Sequence, residues 1–170
     1  MPKTLADGRI ALVALTTPPK DLKAPTVAEL TAGTRIECRI NKSDYKLGAT
    51  DSDTIDEQEL CKSGAAKDFG PASYDGSVTP FRYLTADGKA DTENDVAWDM
   101  LKAKGTHLWL VEREGPLYDA AFEAGQEVSV YEVNTDTPQK PSDRNSGYIK
   151  RVVPLAVLDA RENVEVVAGA

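Results

Sequence analysis

The sequence predicts a mainly β fold, an antiparallel β-sandwich or barrel with one flanking α-helix and long loops. Several segments alternate polar and apolar residues with the period of two that is typical of strands. Polar, turn-forming connections separate these segments, and only the stretch at about 93–104 has helical periodicity. A chain dominated by strands with a single helix favours a sandwich or a barrel over an α/β fold.

Seven segments have the composition of strands. Residues 35–40 alternate strictly, which places Ile36, Cys38 and Ile40 on the core face and the charged residues between them on the wet face. Short apolar runs bounded by turn residues mark the other segments. The predicted strands span residues 10–14, 35–40, 73–84, 107–112, 127–133, 148–158 and 164–167.

Two of these strands are apolar on both sides. The segments 107–112 and 148–158 therefore predict strands whose two faces are both covered, and Pro154 predicts a bulge or a sheet edge within the second. One helix cannot cover a whole second sheet face. We therefore expect one face to meet another subunit, which predicts an oligomer.

The single long helix has recognisable ends and one apolar face. Thr92 is a suitable N-cap, and Gly105 can end the helix. Trp98 lies off the apolar stripe, so two interpretations stay open: it is tucked under a loop, or it contacts another subunit. A second, shorter helix is indicated by the capping-box spacing of Thr26 and Glu29. The stripe of the long helix consists of Val96, Ala97, Met100, Leu101 and Lys104.

The length of 170 residues suits one domain, which we expect to span residues 1–170. We expect an N-terminal arm at about 1–25 and a long loop at 41–72, which contains an acidic run at 51–59. A second polar connection spans residues 134–147. Loops of this length in a compact domain are usually functional or disordered.

Composition excludes several classes of function. The net charge of -8 and a pI near 4.7 argue against a protein that must neutralise the phosphates of a duplex. A single histidine removes most zinc sites and histidine-based catalytic arrangements. That residue, His107, opens an apolar strand and is predicted to be structural. We expect no enzymatic activity and no cofactor.

The acidic run does not have the spacing of a calcium loop. Counted from Asp51, the fifth position is Ile55 and the sixth is Asp56, where a ligand and a glycine are required. The two cysteines, Cys38 and Cys61, are predicted to be buried free thiols rather than a bridged pair. No stretch approaches the ~18–20 apolar residues of a membrane span and no signal peptide is indicated, so we expect folding in a cytoplasm.

The order and spacing of the strand, helix and loop segments resemble the major tail tube proteins of long-tailed bacteriophages, particularly those that infect actinobacteria. The resemblance covers roughly residues 26–158. None of the segments that carry the resemblance is a catalytic motif, so the resemblance depends on the order and spacing of the segments. The segments that carry it are 47–61, 81–83, 97–99, 108–113, 130–133, 147–150 and 153–155.

The resemblance implies a structural protein of the virion tail that is assembled in the host cytoplasm. It implies hexameric rings that stack into a hollow tube, the conduit for genome ejection, with no membrane association. Tape-measure, tail terminator and tail-tip proteins are the implied partners, and DNA passes through the lumen without specific binding. An acidic subunit suits such a channel, because each phosphate contact would slow the DNA.

This interpretation gives candidate contact residues and a candidate lumen. We expect the strands that begin near Ser73, Glu127 and Tyr148 to line a polar and acidic lumen. Two alternatives stay open: an acidic β-sandwich that binds a sugar or a protein through its two long loops, and a capsid or neck decoration protein. The candidate residues for contacts between subunits or rings are Asp51, Asp53, Asp56, Glu57, Glu59 and Trp98.

Overall fold

The computed structural model describes residues 2–64 and 66–169. The two helices are α1 (Val27–Ala32) and α2 (Val96–Leu101). The strands are β1 (Ile10–Leu15), β2 (Thr34–Arg35), β3 (Lys46–Thr50), β4 (Thr54–Ile55), β5 (Asp68–Phe69), β6 (Ser73–Val78), β7 (His107–Glu114), β8 (Glu127–Thr135) and β9 (Val153–Glu165).

Seven strands form one antiparallel sheet in the order β2-β1-β7-β8-β9-β6-β3, and β4 and β5 pair separately. The sheet rolls up because residues 36–41 join its two halves. The amide of Ile36 donates to Leu12 O at 2.9 Å, and the amide of Asn41 donates to Thr79 O at 2.8 Å. The mainly β, antiparallel class predicted from the sequence is confirmed.

The rolled sheet has an apolar core on each face. The inner core contains side chains such as Leu110 and Val133 and is joined by Ala97 and Leu101 of α2. The outer core contains Val13, Trp109, Val111 and Val130, which are covered by Leu30 of α1, Phe122 and Val166 of the same chain. The apolar character of both faces is therefore satisfied within one subunit, and it does not by itself require a second subunit.

Residues 35–40, predicted as a strand, fold differently. Only Thr34–Arg35 is extended, and Glu37–Arg39 form a 3-10 turn. Ile36 and Ile40 are buried as expected, but Cys38 between them is exposed because the turn replaces the period of two. Cys61 is exposed as well, so the prediction of two buried thiols was wrong.

The predicted strands 148–158 and 164–167 are parts of one longer strand that begins later. β9 starts at Val153, and Tyr148 lies before it, 81% exposed. Two shifts of register interrupt the pairing of the thirteen-residue β9 with β8, one between Val128 and Val130 and one between Glu132 and Val133. Pro154 is the second residue of β9; it pairs with Ser77 on one side, and its carbonyl oxygen accepts the Asp136 amide at 2.9 Å on the other, so it marks neither a bulge nor a sheet edge.

The short helix α1 begins as predicted. The Thr26 hydroxyl accepts the Glu29 amide at 3.2 Å, and the Glu29 carboxylate accepts the Thr26 amide at 2.9 Å. Gly33 follows the helix and passes against β1, where a Cβ atom would lie 2.3 Å from Val13 Cγ1. Leu30 is thereby held on the outer core.

The helix α2 is shorter than the predicted 93–104. Thr92, the predicted N-cap, does not cap the helix. The Asp91 carboxylate instead accepts hydrogen bonds from the backbone amides of Glu93 and Asn94. A non-helical turn therefore precedes α2. Gly105 adopts a positive φ of 79° and donates to Thr135 O, so it directs the chain into β7 rather than capping the helix.

The segment 41–72, treated as a connection in the sequence, contains β3, β4 and β5. β3 pairs with β6 from Lys46↔Ser77 to Thr50↔Ser73. Gly76 permits this close packing, because a Cβ atom there would lie 2.9 Å from Leu47 Cδ1. The residues of 41–72 that extend away from the sheet are those after Thr50.

Candidate assembly surfaces

The β4–β5 pair carries a projecting, strongly acidic segment, which we call the acidic arm (residues 51–64 and 66–69). The sequence 51–69 has six acidic and two basic residues, a net charge of -4. The arm is anchored where the Gly70 amide donates to Asp53 O at 2.7 Å. It also exposes apolar side chains: Ile55 is 46% and Phe69 74% exposed, and Leu60 is fully exposed.

All five acidic candidates from the sequence lie in the exposed acidic arm. Two ion pairs lie at the surface of the arm: Lys62 Nζ is 3.1 Å from Glu59 Oε2, and Lys67 Nζ is 3.9 Å from Asp56 Oδ1. Such exposed pairs contribute little to stability. The charge of the arm is therefore available to another surface. The five residues are Asp51, Asp53, Asp56, Glu57 and Glu59.

A second exposed apolar surface, which we call the Tyr148 patch, consists of Phe81, Tyr148 and Ile149. Tyr148 is 81% and Ile149 50% exposed. The Phe81 and Tyr148 rings meet edge to face with centroids 6.0 Å apart. The patch is fixed by the backbone, because the Arg82 amide donates to Ile149 O at 2.8 Å and Phe81 bridges Lys150.

Trp98, the sixth candidate, adjoins the Tyr148 patch through Arg82. The Arg82 guanidinium lies 4.6 Å from the centre of the Trp98 ring and pairs with the buried Asp95 at 2.9 Å. The Asp95 carboxylate also accepts the Tyr83 amide at 3.0 Å. This stacking covers one side of Trp98 and leaves the ring half-buried at the surface. The part of Trp98 covered by Arg82 agrees with a tryptophan packed within its own subunit, and the uncovered part leaves room for a contact with another subunit.

The acidic arm and the Tyr148 patch lie at opposite ends of β6. The arm continues beyond Ser73, where β3 and β6 end, whereas residues 148–150 pair with the chain beyond Val78. One subunit therefore does not bring the acidic candidates and Trp98 together. The same separation places residues 51–69, the exposed part of the loop 41–72, at the opposite end of β6 from residues 148–150.

The inner face of the barrel carries a cleft of about 300 Å³ at the end from which the acidic arm projects. Two tyrosines donate into it: the Tyr45 hydroxyl to Glu112 and the Tyr131 hydroxyl to Glu162, the latter at 2.7 Å. Burial raises the pKa of both tyrosines, so each remains a neutral donor. The carboxylates that line the cleft belong to Glu112, Glu114, Glu127 and Glu162.

The environment of Glu112 disfavours its charged form. Burial raises the pKa of Glu112 above its ordinary value of 4.5, the hydroxyl of Tyr45 opposes this, and the negative charges of Glu114 and Glu162 add to the rise. The folded state therefore binds this proton more tightly than the unfolded state. The corresponding contribution to stability is present below pH 4.5 and is lost as pH rises through the raised pKa.

We expect Glu112→Gln to raise the Tm by a few degrees at pH 7, because the amide retains an acceptor for Tyr45 and carries no charge. Below pH 4.5 the advantage should disappear. Thermal melts between pH 4 and 8 measure this, with exposed Glu93→Gln as the control. A Glu112→Gln protein that is less stable than wild type at pH 7 would show that the charge is needed.

Sequence reasoning missed the apolar part of both surfaces. The sequence pattern predicts a buried strand that includes Tyr148 and Ile149, and it does not distinguish Leu60 and Phe69 from their polar neighbours. Large apolar residues within otherwise polar connections are the sequence signal for such surfaces. Leu60, for example, directly follows the run 51–59, which contains five acidic residues.

The described ranges 2–64 and 66–169 contain no group of three His, Cys, Asp or Glu residues arranged to hold a metal ion. Over the same ranges, no helix combines the length and the apolar character needed to cross a bilayer. His107 lies 2.7 Å from Glu132 and packs on the Trp109 ring, a structural role at the start of β7.

The two exposed surfaces lie at opposite ends of β6 and are unlike each other, so a contact between them in two identical subunits is a heterologous one. The chain belongs to the phage tail tube protein family: the family model described as "Phage tail tube protein" matches residues 1–170, the whole sequence. No significant match was found among curated protein sequences. The resemblance to phage tail tube proteins is confirmed, and the protein is a structural component of the tail tube in the virion tail. The narrower likeness to proteins of phages that infect actinobacteria stays a prediction.

Proposed function

We propose that the protein forms hexameric rings that stack into the hollow tail tube through which the phage genome is ejected. The family match over the whole chain is the observation that carries this proposal. Assembly takes place in the host cytoplasm, and the tube ends meet the tail terminator and tail-tip proteins. The tape-measure protein occupies the lumen during assembly.

The end surfaces support stacking in one direction. A contact between two unlike patches of identical subunits is heterologous, and it produces a ring when the rotation closes and a filament when it does not. The acidic arm and the Tyr148 patch are unlike in charge and lie at opposite ends of β6. Repetition of that contact extends the assembly without limit, which is what a tube needs.

For the lumen we propose the open face of β3 and β6. Lys46, Ser73 and Asp75 are exposed there, and the Lys46 ammonium pairs with Asp75 at 2.7 Å. The one basic charge of this face is thus neutralised by its neighbour. A duplex passing such a face meets polar groups without a free cation to hold its phosphates.

Ring formation is tested by the mass of the assembly in solution. Six chains of 18.3 kDa give about 110 kDa. Sedimentation velocity at rising protein concentration is expected to show this species before larger ones appear. A monomer whose sedimentation does not change with concentration would contradict the proposal.

Two variants of α2 separate fold from assembly. Leu101→Ala removes a fully buried side chain and is expected to cost about 2 to 5 kcal/mol of folding free energy. Trp98→Ala loses the stacking with Arg82, about 1 kcal/mol, and is expected to weaken assembly more than folding. Urea midpoints measured beside sedimentation compare the two. Equal losses of midpoint would assign Trp98 to the fold alone.

A further inference from the structure

We infer that the acidic arm of one subunit docks on the Tyr148 patch of a subunit in the next ring. The inference rests on the proposed function, since it names the receiving surface for a stacking contact. It joins two surfaces that a single subunit keeps apart, and the partner is a second copy of this chain.

The charges of the two surfaces are complementary. The acidic arm has a net charge of -4, while the segment 136–151 that carries the Tyr148 patch has four basic and two acidic residues, a net charge of +2. Lys140 and Arg144 in that segment are exposed. In a chain with a net charge of -8, this segment is a local exception. Opposite potentials across a contact select the partner surface and its orientation.

Both surfaces also carry apolar side chains that their own subunit leaves uncovered. Leu60 and Phe69 project from the acidic arm, and Tyr148 and Ile149 from the receiving patch. Aromatic and aliphatic side chains with a charged surround have the composition of an interface centre and its rim. Exposed tyrosine is well suited to such a centre, because it contributes a large apolar area together with a polar tip.

The position of the surfaces fits a head-to-tail contact. The acidic arm leaves the β3–β6 ladder at one end, and the Tyr148 patch is paired to the chain beyond the other end. Six residues of β6 separate the two ends, roughly 17 Å of strand. A neighbouring copy displaced along this direction therefore presents its patch to the arm, and the contact repeats from ring to ring.

Cross-linking between the arm and the patch tests this pairing directly. Cys61 is an exposed native thiol in the arm, and Cys38→Ser leaves it as the sole thiol of the sequence. Ser146→Cys then places a second thiol beside the patch without changing Tyr148. The matched control is Asp119→Cys, an exposed position in the loop after β7, at the barrel end from which the arm projects. A short bismaleimide is added to rings and to tubes of each variant.

We expect the Ser146→Cys tubes to give a ladder of covalent multiples of 18.3 kDa, with the isolated rings remaining uncross-linked. The variant with Cys61 alone and the Asp119→Cys control should give no ladder. A ladder from Asp119→Cys instead, or none from Ser146→Cys tubes, would overturn the pairing and leave the tube intact. A ladder in isolated rings would show that the arm and the patch meet within a ring, which contradicts a contact between rings. If the wild-type chain forms no tubes at all, both the proposed function and the pairing fail.

Charge reversal gives an independent readout. The arm variant Asp56→Lys with Glu57→Lys, and the patch variant Lys140→Glu with Arg144→Glu, should each raise the critical concentration for stacking by on the order of tenfold at low salt. Combining all four changes should restore stacking. Failure of the combined variant to recover, while each parent still forms rings, would contradict a direct contact between the two surfaces.

Discussion

Replacing Arg113 by alanine is expected to destabilise the fold by about 3 kcal/mol or more. Arg113 is fully buried, and its guanidinium donates to the carbonyl oxygens of Leu117, Ala120 and Ala121 at 2.9–3.1 Å. It also stacks on Phe122, which covers the outer core. Removing this side chain leaves a cavity and removes three of the hydrogen bonds that hold the loop after β7, while Arg35 still donates to Ala120 O at 2.7 Å.

Urea unfolding of Arg113→Ala and of a matched Arg161→Ala control measures the effect. Arg161 is a partly exposed arginine on β9 whose side chain bonds only to its own strand neighbours, so its loss should change the midpoint little. A midpoint for Arg113→Ala that equals that of the control would show that the loop holds its position without the guanidinium.

Neutralising the five acidic candidates of the arm is expected to abolish or strongly weaken stacking while the fold remains intact. The changes are to Asn at the three aspartates and to Gln at the two glutamates. Exposed charges of this kind contribute little to folding free energy, so the Tm should shift by only a degree or two. Sedimentation should show rings that no longer extend, with less salt dependence than the wild type.

The control for this variant removes the same amount of charge elsewhere. If a fall in net negative charge alone governed association, the control would behave like the arm variant. We expect it to stack normally. Loss of folding in the arm variant would show that the arm belongs to the stable domain rather than to an assembly contact. The control positions are exposed acidic residues outside the arm: Asp87, Glu93, Asp119, Glu123 and Glu165.

The sequence predicts the elements whose neighbours lie close along the chain or whose pattern is unambiguous. β1, β7 and β8 appear where the apolar runs place them, and the capping box of Thr26 and Glu29 forms with the expected reciprocal bonds. Local chemistry suffices in these cases. The fold class follows from the same segments, because their number and the scarcity of helix restrict the architecture.

The errors occur where long-range contacts decide the local structure. Residues 35–40 alternate like a strand, yet they must bridge from Leu12 to Thr79 to close the barrel, and a 3-10 turn provides that connection. In β9, the stretch 159–163 interrupts the apolar pattern, yet its first three residues, Asp159, Ala160 and Arg161, pair with Glu132, Tyr131 and Val130 of β8. No pattern within the segment reveals such a partner.

The candidate site divides in the same way. An acidic run such as 51–59 is recognisably exposed from its composition, and the structure places it on a projecting arm. Tyr148 was misplaced because an apolar stretch before a strand resembles the strand itself. In the structure β9 begins only at Val153, so Tyr148 and Ile149 precede the strand and are exposed at the end of the barrel.

An electron-microscopic reconstruction of the assembled protein tests the central claim most directly. The account predicts a hollow tube of stacked six-fold rings, with the β3–β6 face towards the lumen and the acidic arm of each ring on the Tyr148 patch of the next. Particles that remain monomeric at every concentration and ionic strength, or a lumen lined mainly by lysine and arginine, would contradict it.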